Sequence, residues 1–233
     1  MHPINSKLAI FAGLSLSLIA VPATLGQVTT FDDGTDGWSV SGRNNVSLTG
    51  GNPGANLDVE VNDVFGATIR NDDGLLPDFS GPLTLTVDIN VDSIDFFGTP
   101  VARDLVVDIR DFSDEGFASV FYNLGLLQAA GQGWQTYAIT IDDPTATELP
   151  RGWAGAGAED PDTFEPLLPE GRTFADVLAG ADEVVFTTFV PGFLYGFTNF
   201  DLQVDNVGFV AIPEPTSLSL LALGGLALRR RRR

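Results

Sequence analysis

The 233-residue sequence has no cysteine and a single histidine, His2. Thiol nucleophiles, imidazole bases, Cys/His zinc sites, haem ligation and disulfide staples are therefore excluded, and any chemistry falls to carboxylates, hydroxyls, arginines and aromatics. Basic residues are scarce too. Lys7 and Arg229 to Arg233 sit at the two ends, which leaves six arginines against 30 acids between Thr24 and Ile212. Phosphate backbones need a basic face, so a nucleic-acid partner is excluded. An acidic surface instead repels anions, attracts divalent cations and stays soluble in salt. What the chain does have is apolar bulk, 44% hydrophobic residues with 17 Phe, enough to bury a core and to exclude wholesale disorder.

Both ends read as addresses. Lys7 supplies a positive start, Leu8 to Ala20 an apolar run of 13 residues, and Val21-Pro22-Ala23 a small-residue exit. This is the pattern of a secretory signal peptide over residues 1–23, cut after Ala23 or alternatively Gly26, which hands the chain to Sec-type export machinery. At the other end Pro213-Glu214-Pro215 precedes an uncharged stretch, Thr216 to Leu228, and then Arg229, Arg230, Arg231, Arg232 and Arg233. An arginine cluster stays cytoplasmic under the positive-inside rule, with the apolar stretch entering the bilayer and the acidic body across it. Thirteen residues make a thin span for a bilayer core of about 30 Å, which suits a transient transmembrane helix better than a permanent anchor.

The order of motif, short apolar helix and terminal arginines resembles the PEP-CTERM sorting signal of bacterial exported proteins, and covers only Ile212 to Arg233. That resemblance implies recognition and cleavage near Pro213 to Pro215 by an exosortase-type protease. It also implies delivery to the cell surface or to an exopolysaccharide-rich extracellular matrix. The expected organisation is a signal peptide at 1–23, one domain at 24–212 and the sorting signal at 213–233.

Between the signals apolar residues recur with period two. In Leu83 to Val91 the alternating Leu83, Leu85, Val87, Ile89 and Val91 share one face, and Thr84, Thr86, Asp88 and Asn90 the other. Similar runs at Val28 to Asp32, Gly37 to Ser41, Asn56 to Val61, Gly66 to Arg70, Asp104 to Asp111, Ala118 to Leu124, Trp134 to Ile141, Glu183 to Val190 and Leu202 to Val210 are separated by turn-formers such as Asp33-Gly34 and Ser80-Gly81-Pro82. Only Thr173 to Ala179 reads as helical. Strands this short and this numerous predict an all-β fold, an antiparallel β-sandwich of jelly-roll type, flanked by a signal helix and a short C-terminal hydrophobic helix. Phe31 to Val40, the Trp134 strand, the segment from Phe174 and the closing strand at Leu202 together resemble galactose-binding-like, carbohydrate-binding-module jelly rolls.

In that group a calcium ion often ties the first strand to the last, and the matching residues are Asp32 and Asp205, with Asp33 a looser match. Two carboxylates brought together by strand pairing repel unless an ion or a proton intervenes, although solvated edge acids are the plain alternative. An EF-hand over Asp32 to Arg43 fails, because its third position is Gly34 and its twelfth is Arg43 rather than Glu. For a ligand such as extracellular polysaccharide the segment of interest is the 31-residue connection Asp142 to Arg172, which contains Trp153. Trp153 is read either as a sugar-stacking platform or as a plug at the end of the sandwich, while Trp38 and Trp134 fall in strand patterns and are expected in the core. Catalytic residues are expected to be none. A carboxylate-dependent glycoside hydrolase needs only two acids about 5 to 10 Å apart, but 30 acids make no pair stand out. The expectation is an exported surface or matrix protein that binds carbohydrate, the alternative a matrix component without a ligand.

Overall fold

The alternation at Leu83 to Val91 is realised as half of a long central strand whose five inward residues are all at most 8% exposed. The computed structural model describes residues 27–113, 117–193 and 196–212. In chain order its strands are β1 Val28–Thr29, β2 Ser39–Val40, β3 Arg43–Gly51, β4 Gly54–Asp63, β5 Gly66–Arg70, β6 Leu83–Phe96, β7 Thr99–Pro100 and β8 Arg103–Asp111. They continue with β9 Ala118–Leu127, β10 Gln135–Ile141, β11 Trp153–Ala156, β12 Ala158–Glu159, β13 Pro166–Leu167, β14 Glu183–Thr187 and β15 Thr198–Ala211, with one helix, α1 Phe174–Ala179.

The strands form an antiparallel jelly-roll sandwich. One sheet runs β10-β6-β15-β4-β3, with β1 on β15 and β7 on β6; the other runs β11-β9-β8-β14-β5-β2. The core lies between their inner faces. Leu85, Ile89, Leu202 and Val204 of the first meet Leu105, Ile109, Val184 and Phe186 of the second, all fully buried. Trp38 closes one region of it, stacked on Phe209 at 5.7 Å and tilted against Phe186 at 6.0 Å. The helix begins at Thr173 through a reciprocal capping box with Asp176 and seats Phe174, Val177 and Leu178 in the same core.

The differences from the sequence pattern have local causes. Strand β6 continues five residues past Val91, because a bulge at Asp92 switches which residues face inward: Val91 and Ile94 are both buried while Asp92 and Ser93 are exposed. Strand β3 carries no apolar alternation because it is a sheet edge with little buried on either face. The connection 142–172 is not a bare loop, since it holds β11, β12 and β13. The signal helix, the C-terminal apolar helix and the sorting residues Pro213, Glu214, Pro215 and Arg229 to Arg233 lie outside the described residues. Among the described residues no helix is long and apolar enough to cross a membrane.

Candidate functional site

The outer face of the first sheet is polar, because the outward register positions of four neighbouring strands carry amides and acids. The pairings Asn45↔Asp58, Asp58↔Gln203 and Gln203↔Asn90 place one row of side chains across β3, β4, β15 and β6. Strands spaced about 4.8 Å apart turn such a row into a track perpendicular to the strands. Hydrogen bonds order it: Asn90 Nδ2 donates to Gln203 Oε1 at 2.5 Å, and Gln203 Nε2 donates to Asp92. The next rows hold Arg43, paired with Glu60, beside Asp201, and then Asn62, Asn199 and Asp95. Together they line an open groove of about 600 Å³ that reaches Gly42 and Phe200.

Asp92 continues the outward parity of Asp88 and Asn90, and the bulge turns Ser93 the same way, opposite Asp201, on a face that also holds Asp58 and Glu60. Burial pushes the carboxyls of Asp58 and Asp201 above the usual range, and repulsion from Asp92 adds to both. Glu60 and Asp58 push Asp201 further the same way. The face therefore favours ligands that bring hydroxyls or positive charge, and opposes anions.

Of the two readings of Trp153 the structure takes the plug, and Trp134 departs from expectation. Trp153 opens β11 and is 8% exposed, its ring tilted against Tyr122 at 5.6 Å and edge-on to Phe174 at 5.1 Å. It plugs the sandwich and presents no platform. Trp134, expected in the core, is only half-buried. One step before the Gln135↔Ile89 pair, it stands opposite Asn90 on the outward side, and its Nε1 donates to the Gly50 carbonyl at 3.1 Å. It therefore ends the row of Asn45, Asp58, Gln203 and Asn90. The strand pattern misled because outward and inward positions alternate equally well in either register; Tyr137, Ile139 and Ile141 pack on the core, which puts Trp134 outside.

Asp32 and Asp205 do converge, on the turn that joins β3 to β4. Asp205 is fully buried and accepts from the Asn52 backbone N–H at 2.6 Å and that of Asn206 at 2.7 Å. Asp32 accepts from the Ala55 N–H at 2.9 Å. A third acid, Asp88, accepts from the side-chain amides of Asn52 and Asn206 at 3.0 and 2.8 Å. Burial raises the Asp205 pKa, and the charges of Asp88 and Asp32 raise it further against the two backbone donors. Asn56, the next register position across from Asp205, is 2% exposed and its Oδ1 accepts no hydrogen bond. This all-oxygen set is compatible with a hard cation such as calcium. Among the described residues no three His, Cys, Asp or Glu side chains are spaced as a metal-binding group, so amide and backbone oxygens would have to complete the shell. Asp33 is exposed. Neither Asp88 nor Asn56 is singled out by the sequence; the regular register of β15 on β6 sets Asp205 opposite Asp88, and the bulge that follows at Asn206, with φ of 46°, turns the Asn206 amide onto Asp88.

No curated protein matches the chain. Several solved structures are similar in fold. The CBM22-1 xylan-binding domain from Paenibacillus barcinonensis shares 11% identity over 82% of this chain and 99% of that one, at a TM-score of 0.47. A family 11 carbohydrate-binding module from Clostridium thermocellum shares 15% identity over 82% and 99%, at 0.46. An exo-β-agarase shares 11% identity at 0.45, and this chain spans only 26% of its length. Residues 211–233 match the PEP-CTERM protein-sorting motif. The chain thus carries the sorting signal of an exported, cell-surface protein, joined directly to an antiparallel β-sandwich.

Proposed function

We propose that the protein is delivered by Sec-type export, is processed by an exosortase-type protease at its sorting signal, and binds extracellular polysaccharide across the polar face of the first sheet. In this reading residues 1–23 are the signal peptide, 24–212 the mature domain and 213–233 the part read by the protease. The observation that carries the ligand assignment is the row from Asn45 to Trp134, where amides and carboxylates stand beside a half-exposed indole. Sugar hydroxyls take hydrogen bonds from such groups, and C–H faces of sugar rings stack on an aromatic. Acids on the same face oppose anionic chains, so neutral glycans are the preferred class, with calcium held by Asp32 and Asp205, its shell completed by amide and backbone oxygens, as a structural tie rather than a ligand contact.

A matrix component without a specific ligand is the second reading, favoured by the burial of Trp153. A binding screen of the purified protein against neutral and acidic polysaccharides, with and without calcium, separates the two. Saturable binding lost in both Trp134→Ala and Gln203→Ala supports the glycan reading. A folded protein that retains no glycan on any matrix leaves the structural role, and release of reducing ends would point instead to hydrolysis by the acids of the groove.

A further inference from the structure

The structure assigns a docking surface for the membrane-embedded protease to the end of the sandwich where the chain leaves it, an assignment that rests on the sorting reading above. Strand β15 is held to its last residue. Ala211 pairs with Leu83, and the Ile212 N–H donates to the Pro82 carbonyl at 2.9 Å. The matched motif begins at residue 211, inside this hydrogen-bonded strand, so no spacer separates body from signal. Pro213, the next residue, brings no N–H to a further backbone hydrogen bond.

The consequence is a short tether. Fully extended, the steps from Ile212 to Thr216 span at most about 14 Å. One polar layer of a bilayer is about 5 to 8 Å thick. When the uncharged stretch from Thr216 enters the membrane, this end of the folded body is pressed against whatever reads the motif. The surface it presents there is a groove of about 300 Å³ lined by Leu75, Leu76, Pro77, Pro82, Phe209 and Ile212, beside Gln27 where the chain enters the fold. Leu75, Leu76 and Pro77 are half-exposed, and Ile212 is 39% exposed. No lysine or arginine lines the groove and Asp78 stands at its rim, which disfavours an anionic lipid headgroup layer as the occupant and favours an apolar protein surface.

The test follows processing of the full chain in cells that contain the protease, by pulse-chase of the signal-cleaved precursor. Leu76→Asp and, separately, Pro77→Asp should slow conversion about tenfold, the effect of losing one well-packed apolar contact. Phe97→Asp at the far end of β6, where the ring is 77% exposed, should not. Inserting a ten-residue Gly-Ser spacer between Ile212 and Pro213 should uncouple body from signal, so that Leu76→Asp no longer adds to the spacer's own effect. Deleting Arg229 to Arg233 tests the underlying reading: normal processing of that variant removes the sorting assignment itself. If the deletion blocks processing while Leu76→Asp and Pro77→Asp convert at the wild-type rate, or if their defect persists behind the spacer, the docking surface is overturned and the sorting reading stands. Because the chain has no cysteine, Leu76→Cys offers one thiol. Its protection from a water-soluble maleimide in protease-free phosphatidylethanolamine–phosphatidylglycerol vesicles would assign the surface to lipid and overturn the protein partner.

Discussion

Exchanging the two tryptophans' roles makes opposite demands on stability and binding. Trp153 is 8% exposed and packs between Tyr122 and Phe174 at 5.6 and 5.1 Å, so Trp153→Ala empties a large volume and removes two aromatic contacts. A truncation of this kind costs about 3 to 5 kcal/mol. For a domain of this size each kcal/mol is worth about 2 to 4 °C, so the melting temperature should fall by roughly 6 to 20 °C. Trp134 is half-buried on the outer face and contributes one indole hydrogen bond to Gly50, so Trp134→Ala should cost only about 1 to 2 kcal/mol. Glycan affinity runs the other way: Trp134→Ala should lose about tenfold or more, at 1.4 kcal/mol per decade, and Trp153→Ala should retain binding below its lowered melting point. Differential scanning calorimetry and affinity electrophoresis on the same samples read both quantities. A Trp153→Ala protein that melts within about 1 kcal/mol of wild type yet no longer binds would refute the plug assignment and return Trp153 to the surface.

Asp58, Asp201 and Asp205 have folded pKa values above the unfolded carboxylate value, so each binds its proton more tightly when folded and costs stability once pH exceeds its folded pKa. Thermal stability in low salt should therefore rise as pH falls from neutral toward the carboxylate range. It should turn down only where the lowered acids Asp143, Asp160 and Asp176 begin to protonate, below the ordinary aspartate value of 3.8. Calcium at neutral pH should raise the melting temperature, and Asp205→Asn should reduce that gain, as read by calorimetry with and without chelator; an equal shift in both proteins would remove Asp205 from the site. Gly51→Ala should destabilise by about 1 to 3 kcal/mol, since a Cβ there meets the Ala55 carbonyl oxygen at 1.9 Å and an Asp205 oxygen at 2.9 Å, and chemical denaturation would report it. Thr173→Ala should cost about 1 kcal/mol through loss of the α1 cap, with Thr173→Ser restoring most of it.

What was legible in the sequence depends on how many faces of an element are buried. Leu83 to Val91, Gly66 to Arg70 and the core of β8 are packed on one side or both, and their alternation marks them directly. Strand β3 buries almost nothing, so no period could announce it, yet it supplies Arg43 and Asn45 to the groove. The same logic governs the site. Its amides and acids are ordinary outward residues until the register of β3, β4, β15 and β6 aligns them, and register is long-range information that no local window contains. The bulges at Asp92 and Asn206 deepen the gap, because each shifts inside-outside parity by one position and turns outward a side chain, Ser93 or Asn206, that strict alternation would have buried. The sorting signal was legible for the opposite reason: its motif, apolar stretch and arginine cluster follow one another in chain order, so a local window contains all three. The two kinds of information meet at Ile212, which the sheet holds through its N–H on the Pro82 carbonyl and which is the second residue of the motif match, so long-range register and local motif overlap in the same residues.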